Sequence, residues 1–229
     1  RAMTQASPAK PDGHGHLRDI IYGALDGSVT TFAIVAGVAG AGLDPFVILA
    51  LGFANLFADG FSMAAGNYSG TKAELDDLNR LRRLEAERIA RDPSGVRAEL
   101  HDILAAKGLS DDTLEAATGQ IARVPRHSLA MILDGTHGLA AADPHPLKAA
   151  FATFGAFLAA GLVPLLPFIL DVPEAFPVAA VLTLATFFAI GAYKSRWSLA
   201  SWWRSGVETT LIGGLAATIA YAVGMIFTL

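Results

Sequence analysis

The sequence predicts an all-α membrane protein with five transmembrane helices and a small helical insert between the second and third. Three observations carry this. The 229 residues are 53% hydrophobic and only 17% charged, with a mean hydropathy of +0.45, whereas a soluble domain carries about 25% charged residues. The charges are segregated: long uncharged runs alternate with one charged block at residues 71–147. Five of those runs reach the roughly 20 residues that a helix needs to cross the hydrocarbon core. Cysteine is absent, which excludes a disulfide framework and a thiolate metal site.

Residues 1–17 are polar and rich in Pro and Gly, and are expected to be a flexible tail without the apolar stretch of a signal peptide. Span 1 is expected from about Ile20 to Ala41 and span 2 from about Pro45 to Gly70, inside a first membrane segment at 18–70. Span 3 (Ala149 to Leu170), span 4 (Phe176 to Tyr193) and span 5 (Gly206 to Leu229) make up a second segment at 148–229. The short connections at Gly42–Asp44 and Asp171–Glu174 make spans 1/2 and 3/4 hairpins. All 17 Lys and Arg residues fall on one side of this topology. The positive-inside rule makes that side the cytoplasm, with the N-terminus inside and the C-terminus outside. Trp197, Trp202 and Trp203 fit the aromatic belt at the membrane surface.

The insert is helix-prone. Leucines at 75, 78, 81 and 84 form a slowly drifting stripe, and nothing at the end of span 2 clearly breaks the helix, so span 2 is free to continue into the cytoplasm. Asp92-Pro93-Ser94-Gly95 reads as a turn, followed by helices from about Val96 to Lys107, from Ser110, and after Pro125. Its size argues against a core of its own.

A carboxylate at the bilayer centre costs about 2.5–3.5 kcal/mol, so each one within a span is a functional candidate expected to be buried. Asp26 lies six residues into span 1, about 9 Å deep at the helical rise. It is followed by Gly27, which lets another backbone or an ion come close. The bland alternative is a kink or an interhelical hydrogen bond. In span 2, Asn55, Asp59 and Met63 are spaced i, i+4, i+8 and share a face, which Asn67 extends. An amide, a carboxylate and a thioether in one line suit a divalent transition metal, since sulfur biases a site away from Mg²⁺ and Ca²⁺. Met63 reads equally as packing filler. Glu208, near the start of span 5, either joins such a path or carries a proton, or else pairs with Lys194 or Arg204. Small residues (Gly37, Gly40, Gly60, Gly66, Gly213, Gly214) permit close helix packing, and Pro164 and Pro167 free backbone carbonyls in span 3. No nucleophile–base motif or cofactor loop points to a soluble enzyme. The scattered basic residues follow the orientation rule rather than a nucleic-acid footprint.

The stretches Asp26-Gly27-Ser28-Val29-Thr30-Thr31-Phe32-Ala33, Ala58-Asp59-Gly60-Phe61-Ser62-Met63-Ala64-Ala65-Gly66-Asn67-Tyr68 and Val163-Pro164-Leu165-Leu166-Pro167 together resemble the vacuolar iron transporter family. The resemblance implies a homodimer in the bilayer with a translocation path at its two-fold axis. It implies export of Fe²⁺, often also Mn²⁺, from the cytoplasm against inward H⁺, with the metal as cargo and no permanently bound cofactor. Asp26 and Met63 match path-lining positions of the family. A glutamate of better-known members falls at Asn55, where Asp59, one turn on, is expected to substitute. The family's insert is a metal-collecting domain with clustered Glu and Met ligands. Here Glu99 and Asp102 resemble one acidic pair, and Glu85 or Glu87 supplies part of another. Near the insert's end Thr136 stands at a glutamate position, with Met131 and Asp134 nearby. His101, His127 and His137 are further candidate ligands without a convincing spacing, and a charged helical face is commonly just solvated. The Ala/Gly/Arg-rich composition points to a bacterial inner membrane. A proton-independent facilitator and a membrane-anchored metal sensor or storage scaffold are the rival readings.

Overall fold

A computed structural model describes residues 17–139, 144–197 and 199–227. Most of the expected tail, including Arg1 and Lys10, lies outside the described residues. Among the described residues nine α-helices follow in order: α1 (Leu17–Gly40), α2 (Pro45–Arg91), α3 (Pro93–Ala106), α4 (Asp111–Ala122), α5 (Pro125–Gly135), α6 (Pro146–Leu162), α7 (Leu166–Ile169), α8 (Ala175–Lys194) and α9 (Trp202–Ile226). The described residues contain no strand. Among the described residues, five helical stretches are long and apolar enough to cross a membrane: α1, α2, Pro146–Ile169, Ala175–Trp197 and α9. The chain is a multi-pass membrane protein. It forms two compact units, one from the residues before Gly70 and after His145, the other from Gly70–His145.

In the membrane unit, α1 is the central helix and packs against α6, α8 and α9. It supplies Phe32, Val35 and Val38 to a core completed by Ile48 and Leu56 of α2, Phe157 of α6, Leu165, Ala179 of α8 and Ala217 of α9. Lipid offers no hydrophobic drive between spans, so close backbone contact and hydrogen bonds must supply the affinity. The chain meets that requirement along α1. A Cβ added at Gly23 or Gly27 would run into the backbone carbonyls of Thr153 and Phe157 on α6. Phe176 stacks between Phe32 and Tyr221, with ring centroids 6.3 and 5.8 Å away.

Local chemistry sets the element ends. Asp44 accepts the Phe46 N–H (2.7 Å) and Pro45 occupies the first position of α2, where its missing N–H costs nothing. Span 3 changes to a 3₁₀ turn at Val163–Leu165 before α7, because Pro164 and Pro167 cannot donate to the preceding turn. The α7–α8 turn places Asp171 and Glu174 in the left-handed region (φ +49° and +54°).

α2 is a single helix of 47 residues that continues past its apolar part without a break. Its membrane part has three distinct rows. Ile48, Gly52, Leu56, Gly60 and Ala64 are buried. Asn55, Asp59, Met63 and Asn67 flank that row on one side, and Phe53, Phe57 and Phe61, all exposed, flank it on the other.

The insert unit departs from the sequence expectation in two ways. Its first helix starts at Pro93 rather than Val96, because Asp92 caps it by accepting the Gly95 N–H (2.9 Å) and Pro93 is preset for the first helical turn. It also has a core of its own: Val96, Leu100 and Ile132 are buried, with Ile89, Ile103, Ile121 and Met131 packed against them. Three short helices and the end of α2 close over enough aliphatic surface to do this. Gly108, at φ +94°, follows the end of α3 as a residue that tolerates a left-handed backbone.

Candidate functional site

Asp26 and Asp59 sit on neighbouring spans within electrostatic reach of one another. Contrary to the expectation of burial, both are exposed on the surface of the single chain's helix bundle. The reason is visible in the rows of α2. The core takes up the Leu56–Gly60 row, and the Asp59 row lies beside it rather than beneath another helix. On α1, the buried Gly27 and Ser28 face inward, which turns Asp26 outward.

The amide of Asn55 ties the two helices together just beyond Asp26. Its Nδ2 donates to Thr30 Oγ1 (3.3 Å) and Thr31 Oγ1 (3.2 Å), and Thr30 Oγ1 donates to the Asp26 carbonyl (2.8 Å). Thr31 is fully buried, so Asn55 gives a partner to a hydroxyl oxygen that is shielded from any solvent. Asn55 therefore acts within the chain as a strut beside the carboxylates. Met63 is half-buried and packs against the main core. At the other end of the row, Asn67 Nδ2 donates to Asp19 Oδ1 (2.9 Å) and Thr153 Oγ1 (2.7 Å), joining α1, α2 and α6. The sequence pattern pointed to Asn67 but not to Asp19, Thr30, Thr31 or Thr153; nothing in their spacing signals a partner on another helix. Glu208 is exposed on α9, apart from the Asp26–Asp59 pair in sequence and element, and Arg204 lies over the Trp203 ring, 5.3 Å from its centroid.

In the insert unit the structure brings Glu85 and Glu99 together and leaves Asp102 out. Asp102 has a side chain 86% exposed and lies 3.7 Å from His101. Arg88 sits between Glu85 and Glu99. Its Nε is 2.8 Å from Glu85 Oε2 as an ion pair without hydrogen-bond alignment, and its guanidinium donates to Glu99 Oε2. Thr136 Oγ1 donates to Glu99 Oε1 (2.5 Å), and His137 Nε2 lies 2.9 Å from Glu85 Oε1. Burial pushes the Glu99 carboxyl up, but the Thr136 hydroxyl and the Arg88 guanidinium together outweigh it and hold Glu99 below the usual range. The other insert candidates are dispersed. Glu87 pairs with Arg91 (3.0 Å), Asp134 with Lys107 (2.9 Å), Met131 packs on the small core, and His127 is exposed. Among the described residues, no three His, Asp or Glu side chains gather closely enough to hold a metal ion. Arg88 is the residue that sequence reasoning passed over. Its i, i+3 spacing from Glu85 is a helix-pair signal, whereas its link to Glu99 is tertiary.

Comparison with known proteins adds to this geometry. The model of the VIT family matches residues 17–225. The chain is 32% identical over 210 residues to Vacuolar iron transporter 1 of Eucalyptus grandis, covering 90% of this chain and 84% of that protein. It is 31% identical over 213 residues to Vacuolar iron transporter 1 of Arabidopsis thaliana, covering 92% and 85%. It is 30% identical over 226 residues to the Vacuolar iron transporter of Toxoplasma gondii, covering 93% and 75%.

Proposed function

The chain belongs to the VIT family, and from that premise we propose that it is a transporter of divalent transition-metal ions, Fe²⁺ and Mn²⁺, moving them out of the cytoplasm in exchange for H⁺. It is a membrane carrier and not an enzyme. The observation that carries the reading is the pair Asp26 and Asp59: two carboxylates within electrostatic reach, both at the bundle surface inside apolar spans. Surrounded by lipid, each would cost about 2.5–3.5 kcal/mol. A second copy of the chain placed over this face removes them from lipid and doubles the oxygen ligands around one axis. Hard oxygen donors with one thioether suit Fe²⁺ and Mn²⁺ over Mg²⁺.

In this mechanism a partly dehydrated cation binds between Asp26 and Asp59 of both protomers. Asn55 holds α1 and α2 in register, and Met63 offers its sulfur as the cation passes. Protons arriving from the far side neutralise the carboxylates and release the metal, which is the chemical basis of exchange. The distribution of basic residues supports a cytoplasmic N-terminus, and the Ala/Gly/Arg-rich composition supports a bacterial inner membrane.

Purified protein in proteoliposomes tests this. Fe²⁺ or Mn²⁺ flux should fall at least about tenfold in Asp26→Ala, the factor corresponding to about 1.4 kcal/mol of lost cation binding. Met63→Leu keeps the packing volume and removes the sulfur, and it should lower flux while leaving the fold intact. Parental flux in Asp26→Ala would sink the proposed site. Flux indifferent to an imposed pH gradient would replace exchange by a passive path, and metal binding without flux would point to a sensor or store.

A further inference from the structure

Four carboxylate oxygens meet in the insert unit, and each already has a protein partner. Glu85, on the last turns of α2, gives Oε2 to Arg88 and Oε1 to His137. Glu99, on α3, gives Oε2 to Arg88 and Oε1 to Thr136, the residue that ends α5. The Glu85 and Glu99 side chains are only 13% and 21% exposed. Two carboxylates this close and this shielded repel each other unless a cation stands between them. A metal ion or a guanidinium can meet that need. Here a guanidinium is in place, and its planar fork matches carboxylate geometry better than an ammonium does. The small core of Val96, Leu100 and Ile132 is contributed by the same helices α3 and α5 that the cluster fastens to α2.

We propose that Arg88 is a resident counter-cation that fastens α2, α3 and α5 to one another, so that this unit keeps its fold without a bound metal ion. The pairing also occupies the carboxylates that a metal would otherwise use, so Glu85 and Glu99 serve cohesion rather than ion capture. This inference stands apart from the membrane path and does not depend on it.

Hydrogen exchange on the full-length protein in detergent micelles tests it, read on segments 85–104 and 125–137 with EDTA and again with Mn²⁺. The parent should show the same protection in both conditions. Arg88→Gln in EDTA should exchange at least about tenfold faster in these segments, and Arg88→Lys, which keeps the charge but not the fork, should fall between the two. The three tryptophans all lie outside the insert, so unchanged tryptophan emission shows that the membrane unit has survived the substitution. Protection in the parent that depends on Mn²⁺ or collapses in EDTA would overturn the proposal. So would parental protection in Arg88→Gln.

Discussion

Thr136 and Glu99 show how one hydroxyl changes the role of a carboxylate. Glu99 is held below the ordinary glutamate range chiefly by the Thr136 hydroxyl and the Arg88 guanidinium, against the opposing effect of burial. A lowered folded-state pKa means that Glu99 contributes stability above the unfolded value, near about 4.3. That contribution is lost as pH falls through the depressed folded value. Thr136→Val removes one charged hydrogen bond, worth about 1.5 kcal/mol, and raises Glu99 toward its ordinary range. Acid loosening of the insert should then begin at higher pH than in the parent, measured by pulsed hydrogen exchange of segment 93–106 in the full chain. Acid profiles that superimpose would mean that the Thr136 bond does not govern Glu99. The sequence showed Thr136 as a missing glutamate and Glu99 as a candidate ligand. It did not show that the two bond to each other, because residues 37 apart are joined only by the way α3 and α5 pack.

At the scale of elements, α1 approaches α6 at Gly23 and Gly27, where a Cβ would meet carbonyl oxygens rather than movable side-chain ends. Gly27→Ala therefore has to push the helices apart, an overpacking cost of about 1–3 kcal/mol. It should lower the melting temperature in detergent by about 2–4 °C per kcal/mol and displace Asp26, its chain neighbour. Gly155→Ala, on α6, is the matched control. Nothing lies within 4 Å of its added Cβ, and alanine is the better helix former, so its melting temperature should stay level or rise. Equal losses in the two variants would refute close approach as the reason for Gly27. The sequence left open whether Gly27 admits a backbone or an ion; the structure assigns it a backbone, that of Phe157. The spans were legible to within a few residues from hydropathy, and the continuity of α2 from the lack of a breaker. The small core of the insert was not, since its aliphatic residues are distributed over the end of α2 and three short helices, none of which carries a strong stripe alone.

On the scale of the whole molecule, the unsolved cost is the outward face of α2. Beside the Asn55–Asp59–Met63 row runs another of small residues, Ala54, Ala58, Ser62 and Gly66, all exposed. Small residues four apart are the pattern that lets two membrane helices approach closely. Next to it lie the carboxylates that lipid penalises by about 2.5–3.5 kcal/mol each. Phe57 and Phe61, 60% and 68% exposed, occupy the opposite flank and suit lipid contact. These rows divide α2 into a core face, a partner face and a lipid face, and they orient the proposed dimer. The chain has no cysteine, so single cysteines report without background. Disulfides require Cα atoms within about 7 Å. In native membranes treated with a mild oxidant, Ala58→Cys or Ser62→Cys should therefore form a disulfide-linked dimer, whereas Phe57→Cys should stay monomeric. Cross-linking of Phe57→Cys in preference to Ala58→Cys would turn the dimer to the other flank and leave Asp59 away from its axis. No cross-link from Ala54→Cys, Ala58→Cys or Ser62→Cys would remove the α2 interface altogether, and with it the doubled carboxylate site that the exchange mechanism requires.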